Sequence, residues 1–179
     1  MNIGFDFDKI FIDYPPFVPH KLIDYLYKKK SKKTLSYRIP NKLEQSLRLI
    51  THASFLRKPI KENLDVLTKR IGRDKTKNFL ISSRFGFLQK KTTKLIDKHQ
   101  LRKLFHELHF NYQNKQPHLF KNEVLKKLKI NRYVDDDLPL LEYLCQKNKK
   151  IKFYWLNPHV EKKLKKNLFA VKNIENIFK

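Results

Sequence analysis

The stretch Ile3 to Phe11 reads IGFDFDKIF, a short apolar run that ends in two aspartates, Asp6 and Asp8, two positions apart. Ile3 and Phe5 precede them with strand spacing, which puts the acids at the strand's carboxyl end. Alternation along an extended chain sends both acids to one side. Paired carboxylates repel unless something neutralises them, and a hard divalent cation, which prefers oxygen ligands, does so. The plain alternative is a solvated turn with two surface acids.

A second acidic site weakens that alternative. Asn131 to Leu144 reads NRYVDDDLPLLEYL, where Tyr133 and Val134 end a short strand and Asp135, Asp136 and Asp137 follow. Acids at a helix start complement its dipole and cap its free N–H groups. That accounts for Asp137, ahead of the helix carrying Leu140, Leu141 and Leu144, but not for all three. Between the two acidic sites, NFLISSRFG (Asn78 to Gly86) reads as a buried strand ending in Ser82 and Ser83. HLFKNEVLKKLKI (His118 to Ile130) then places Lys121 near a helix start, with Lys115 as the other candidate lysine.

A strand-terminal DxD, a strand-terminal serine, a lysine and an acidic doublet, in that order, resemble the haloacid dehalogenase-like (HAD) phosphatase superfamily. The likeness is to the small capped phosphatases and deoxynucleotidases whose last motif is an adjacent Asp-Asp. It implies an α/β fold, a Rossmann-like parallel sheet flanked by helices, with 1–13 and 58–179 as core and 14–57 as a small helical cap. It also implies Mg²⁺-assisted phosphoryl transfer through an aspartyl-phosphate. Asp6 would be the nucleophile, and Asp8 the proton donor and then base, its pKa raised by crowding beside other carboxylates. Mg²⁺ would be held by Asp6, the carbonyl of Asp8, and Asp135 with or without Asp136. Ser82, or Ser83 if the register slips by one, would bind a phosphoryl oxygen, and Lys121 would balance its charge. One departure stands out: after the second aspartate the family commonly has glycine, then threonine or valine, and this chain has Lys9 and Ile10. Lys9 points to solvent or reaches a substrate phosphate. Arg84 and His118 lie near the same rim, Arg84 being, with Lys9 and Ser83, a candidate substrate-binding residue; the alternative for both is solvent exposure, the ordinary fate of such residues.

The chain has 179 residues, 40% of them hydrophobic, which suits one domain plus a modest insertion. No apolar stretch approaches membrane-spanning length, and no basic-then-apolar leader opens the sequence. Cys145 is the sole cysteine; it excludes an internal disulfide, fits a reducing cytoplasm and reads as a small buried hydrophobe. No Cys/His cluster has zinc spacing. The net charge of +24 favours anionic partners. It comes mainly from lysines scattered along the chain, which accompany much Asn, Ile and Phe. That pattern follows A/T-rich codons more than a nucleic-acid groove, and only Lys28 to Lys33 forms a dense patch.

Asp13 to Pro16 (DYPP) is a turn signal. A helix with Val18, Leu22, Tyr25 and Leu26 on one face follows. A second helix begins near Pro40, its apolar face carrying Leu43, Leu47 and Ile50. Pro59 opens a third, with Ile60, Leu64, Leu67 and Ile71, which Gly72 ends. Leu88, Leu95 and Ile96 mark another helix, Leu108 and Phe110 a strand, and KIKFYWLN (Lys150 to Asn157) a fifth strand. There the Tyr154–Trp155 pair reads as sheet packing. The last twenty residues read as loosely packed. Alternating strands and helices imply a parallel sheet whose ligands bind at the strand carboxyl ends, where Asp6, Ser82 and Asp135 meet.

The leading expectation is therefore a phosphomonoester hydrolase acting on a small phosphorylated metabolite or nucleotide. A phosphatase of nucleic-acid ends or a metal-dependent nuclease would use the basic surface instead. A binding protein on a phosphatase scaffold would bind Mg²⁺ without turnover.

Overall fold

The structure, a computed structural model, describes residues 1–15, 35–71, 75–160 and 162–178. Strands β1 (Asn2–Phe5), β2 (Lys77–Ser82), β3 (Glu107–Phe110), β4 (Arg132–Asp135), β5 (Lys152–Leu156), β6 (Lys162–Lys165) and β7 (Leu168–Val171) form one sheet. Their order is β3-β2-β1-β4-β5-β7-β6. All neighbours are parallel except β6, which runs antiparallel to β7. Helices α1 (Lys42–Thr51), α2 (Lys61–Arg70), α3 (Gln89–Lys98), α4 (Pro117–Lys127) and α5 (Leu138–Lys147) connect them. This is the expected α/β, Rossmann-like architecture. No helix among the described residues is long and apolar enough to cross a membrane.

Alternation along the strands divides the core between the two faces. Ile3, Phe5, Leu80 and Val134 pack with Leu67 of α2 and with Leu95 and Ile96 of α3. On the other face Phe79, Ile81, Tyr133 and Phe153 pack with Val124 and Leu125 of α4 and with Leu140, Leu141 and Leu144 of α5. Gly4 faces this second cluster, and a Cβ there would lie 2.9 Å from Tyr133 Cδ2. Glycine leaves room for the tyrosine ring.

Several local expectations need correction. Pro40 and Pro59 are not the first helical residues. Asn41 caps α1 in a reciprocal capping box with Glu44, and Ile60 precedes α2. Pro59 instead bridges to Ile12. The loop read from the sequence over NKQPH (114–118) ends earlier, because Pro117 is the first residue of α4 and His118 lies inside it. The face of α1 carrying Leu43, Leu47 and Ile50 points outward, leaving these residues 81%, 56% and 64% exposed. The inner face is taken by Arg48 and His52. The helix assigned to Val18 through Leu26, the patch Lys28 to Lys33, and Gly72 all lie outside the described residues.

The chain's last segment is not loose. The β6–β7 hairpin joins the sheet, and a 3-10 turn, Ile174–Phe178, follows. Leu168, Ile174 and Ile177 are fully buried. The lysines that suggested looseness are on β6, the edge strand, whose burial pattern is mostly exposed. Edge lysines deter pairing with other chains. Ile177→Ala therefore lowers unfolding free energy by about 2–5 kcal/mol in urea denaturation; a change no larger than an exposed-site substitution contradicts this packing.

Candidate active site

β1 lies between β2 and β4. The connection from β1 leads to one side of it, and the connection into β4 returns to the other. A crevice opens beyond the carboxyl ends of such strands. Asp6 follows β1 directly and is fixed by its own N–H, which donates to the Val134 carbonyl at 2.9 Å. Ser82 ends β2 and Asp135 ends β4.

Carboxylate oxygens of Asp6, Asp135 and Asp136 lie within 4.8 Å of one another. Lys121, on α4, donates to Asp6 Oδ1 at 2.8 Å and to Asp135 Oδ2 at 2.7 Å. Tyr133 donates to Asp135 Oδ2 at 2.9 Å, and the Asp137 N–H to Asp135 Oδ1 at 3.0 Å. Trp155 donates to the Asp136 carbonyl at 3.0 Å. Asp137 itself caps α5 by accepting from Leu140 N–H. Lys115, the other candidate lysine, pairs with Glu123 at the surface.

Burial is the largest influence on Asp6. It outweighs Lys121, and with Asp135 and Asp8 adding to it the pKa is pushed up to about 7. Burial, then Asp135 and Asp6, drives Asp136 well above the ordinary carboxylate range. Lys121 stays charged despite its burial because Asp135 and Asp6 flank it. Three clustered carboxylates, two of them resisting ionisation, form an oxygen-only donor set that suits Mg²⁺. A divalent charge would relieve their repulsion.

Asp8 differs from the expectation. Burial does raise its pKa, but Arg84 and then Arg57 outweigh burial and hold the group well below the usual range. Arg84 grips it as a fork, Nε to Oδ2 at 2.8 Å and Nη2 to Oδ1 at 2.7 Å. Arg57 donates to the same Oδ1. Guanidinium pairing, not crowding by carboxylates, sets this group's charge.

Arg84 is thus buried rather than solvated, with Thr92 at 3.2 Å and the Phe7 ring 4.6 Å away as further partners. His118 is also buried, edge-on to Tyr143. Lys9 occupies a left-handed conformation, φ 62°, which explains why glycine suits this position. Its ammonium turns to Asp13 at 3.0 Å and lies outside the cavity wall. Ser83 Oγ is buried without a hydrogen-bond partner among the described residues, and it lines the cavity beside Ser82.

The cavity measures about 130 Å³ and is lined by Asp6, Asp8, Ser82, Lys121, Asp135 and Asp136 together with Tyr14, Tyr37, Arg48 and His52. Sequence reading missed these last four residues and Arg57. The one available signal was the i,i+4 pairing of Arg48 with His52, opposite the apolar face of α1. Tyr37 donates to Asp137 Oδ2 at 2.7 Å, and its N–H donates to Gln116 Oε1 at 2.9 Å.

No protein-family model matches the chain, and no curated protein matches its sequence. Solved structures do match. A HAD-superfamily hydrolase of subfamily IA from Geobacter sulfurreducens aligns at TM-score 0.60 and 13% identity, over 99% of this chain and 97% of that one. An archaeal beta-phosphoglucomutase from Pyrococcus gives 0.58 and 13%, over 99% and 96%. A HAD-family enzyme from Bacteroides thetaiotaomicron, an aspartate-to-alanine variant in complex with magnesium and inorganic phosphate, gives 0.55 and 12%, over 89% and 95%. The chain has the HAD-like fold.

His52 provides a test of the site's electrostatics. Burial, then Arg84 and Arg57, lowers its pKa from 6.5 to about 3, against the opposing pull of Asp8. Between those values the unfolded chain binds a proton that the native state refuses. The contribution is complete above pH 6.5 and is lost as pH falls toward 3. Denaturant midpoints across that window should fall less in His52→Gln than in the parent; parallel slopes contradict the assignment.

Proposed function

We propose that the protein is a Mg²⁺-dependent phosphomonoester hydrolase acting through an aspartyl-phosphate on Asp6. The observation that carries this reading is the Lys121 ammonium held between Asp6 and Asp135, with Asp136 alongside, at the sheet's switch point. The fold shared with HAD-superfamily enzymes supports it.

In this reading a carboxylate oxygen of Asp6 attacks phosphorus, the ester P–O bond breaks, and the leaving oxygen takes a proton from the Asp8 carboxyl. Water then gives a proton back to Asp8 as it attacks phosphorus, the Asp6–phosphate bond breaks, and inorganic phosphate leaves with Asp6 and protonated Asp8 regenerated. Asp6, Asp135 and Asp136 would hold Mg²⁺, which neutralises charge between the carboxylates and the phosphoryl group. Lys121 would face the phosphoryl oxygens as they gain charge, and the hydroxyls of Ser82 and Ser83 would donate to them. Asp8, as clamped here, is an acceptor only. Its donation to a leaving oxygen requires a guanidinium to withdraw first.

Residues 14–57 would act as a cap that excludes water. Their stems are paired at the core, Asp13 N–H to Lys58 O and Ile60 N–H to Phe11 O, both at 2.8 Å. Tyr37 latches their far end to the start of α5. A cavity below the roughly 300–1000 Å³ of common ligand pockets supports a small substrate over a nucleic-acid end.

Phosphate release from a panel of phosphomonoesters, with end-phosphorylated oligonucleotides included, tests the reading. Release should require Mg²⁺ and fall by about three orders of magnitude or more in Asp6→Asn. A folded protein that releases phosphate from none of them contradicts it. Mg²⁺ at a hundredfold excess over its Kd should also stabilise the parent by about 2.7 kcal/mol. That gain should shrink in Asp136→Asn, whereas equal gains would remove Asp136 from the metal set.

A further inference from the structure

The two faces of the sheet are unequally covered at its β6 end. On one face β5 and β7 bury Phe153 and Leu168 in the cluster shared with α4 and α5. On the other, Ile174 and Ile177 of the 3-10 turn pack with Val171 of β7. Beyond the turn a second cavity opens, of about 380 Å³. Its described lining comes from β5, β6 and β7 and from Asn176 of the turn, and shares no residue with the lining of the cavity around Asp6. The volume falls in the range of common ligand pockets.

Strand register sets what this cavity presents. Tyr154 of β5 lies opposite Phe169 of β7, and Phe169 lies opposite Lys163 of β6. Residues opposite one another share a face, so the three form one row across the strands. Lys152, two positions before Tyr154, reaches the same face by alternation. The Tyr154 and Phe169 rings stack, with centroids 5.6 Å apart and planes at 28°. Lys162 completes a rim of three lysines around them.

Lysine on an edge strand deters pairing with other chains, and that role asks nothing of the residues beside it. Two observations go further. Among the described residues no carboxylate pairs with Lys152, Lys162 or Lys163, whereas Lys165 of the same edge strand is matched by Glu142 at 2.9 Å. Tyr154 is only 8% exposed, yet its hydroxyl has no hydrogen-bond partner among the described residues, and the residue lines the cavity. A buried tyrosine hydroxyl ordinarily finds one. Burial raises the pKa of this hydroxyl against the opposing pull of Arg132, so it stands as a neutral donor.

We propose that this cavity binds a phosphorylated nucleobase, with the base on the Tyr154–Phe169 pair and the phosphates on the lysine rim. An aromatic surface accepts the face of any base. Three ammonium groups on one rim match a ligand with several negative charges, which phosphates supply and a lone carboxylate does not. The Tyr154 hydroxyl supplies a donor to the base or its sugar. A free nucleotide and a nucleotide within a single strand offer the same chemistry here. The site is separate from Asp6 and does not depend on the phosphatase reading.

The test uses the full chain with Asp6→Asn, EDTA to keep divalent ions from the other cavity, and calorimetric titration. Adenosine triphosphate carries base and phosphates, tripolyphosphate the phosphates alone, and adenosine the base alone. Adenosine triphosphate should bind about ten- to a hundredfold tighter than either fragment, as one stacked base contributes. Lys163→Ser, at an exposed position, should weaken that binding with the fold intact. Phe169→Leu should erase the preference over tripolyphosphate, and Arg48→Met, in the cavity around Asp6, should leave binding unchanged. An oligoadenylate about ten nucleotides long identifies the source. Tighter binding than the nucleotide makes a single strand the ligand, and weaker binding makes it the free nucleotide. Equal affinity for adenosine triphosphate and tripolyphosphate overturns the proposal. Binding that survives Lys163→Ser, that is lost in Arg48→Met, or that does not occur overturns it as well. Lys163→Ser in the parent chain should leave phosphate release unchanged, so failure here is distinct from failure of the hydrolase reading.

Discussion

Lys121 holds one ammonium between two buried carboxylates, and the two halves of the sheet meet through it. Asp6 comes from β1 and Asp135 from β4, while the lysine reaches both from α4 on one face. An ion group this deep carries a large desolvation cost, and apolar residues of similar volume commonly serve stability as well or better. Its presence is more intelligible as chemistry than as packing. Nearby residues are arranged around it. Gly4 has no side chain, so the Tyr133 ring fits against β1, and the tyrosine hydroxyl then supports Asp135. Asp137 supports the same carboxylate through its N–H while capping α5, and Trp155 fixes the Asp136 carbonyl.

The Asp8 clamp is the second organising interaction. Two guanidiniums from distant parts of the chain, one ahead of α2 and one after β2, converge on a single carboxylate. Their combined attraction exceeds the burial penalty, which is why the group is ionised where its neighbour Asp6 resists ionisation. Two aspartates separated by one residue thus receive opposite electrostatic treatment. The clamp also ties Arg57, which precedes α2, to the turn after β1, beside the reacting groups.

Short-range signals made most of the core legible in the sequence. The apolar runs ending in Asp6, Ser82 and Asp135 each mark a strand, and the strand-helix alternation fixes a parallel sheet that brings those ends together. The tail was misread because Lys162 to Lys166 hides an edge strand whose partner, β7, carries the buried residues; lysine content says nothing about the strand beside it. α1 is legible as a helix, but its facing is not: periodicity identifies an apolar face and not the direction in which it points, and here Arg48 and His52 take the inner face. Arg57 and Arg84 could not be assigned from sequence because their role depends on a partner 49 and 76 positions away. The glycine-to-lysine departure after the DxD, by contrast, becomes plain in the backbone. Lys9 keeps the left-handed turn that glycine would adopt without strain, and its side chain is drawn off to Asp13.

In the proposed reaction a carboxylate oxygen of Asp6 is the nucleophile of a Mg²⁺-supported phosphoryl site. Fluorine NMR of the protein with beryllium fluoride, which imitates an aspartyl-phosphate, reports on that oxygen. Protein-bound fluorine resonances that require Mg²⁺ and are absent in Asp6→Asn are the predicted result. Bound resonances that persist in Asp6→Asn, or none at all in the folded Mg²⁺-loaded parent, would contradict it.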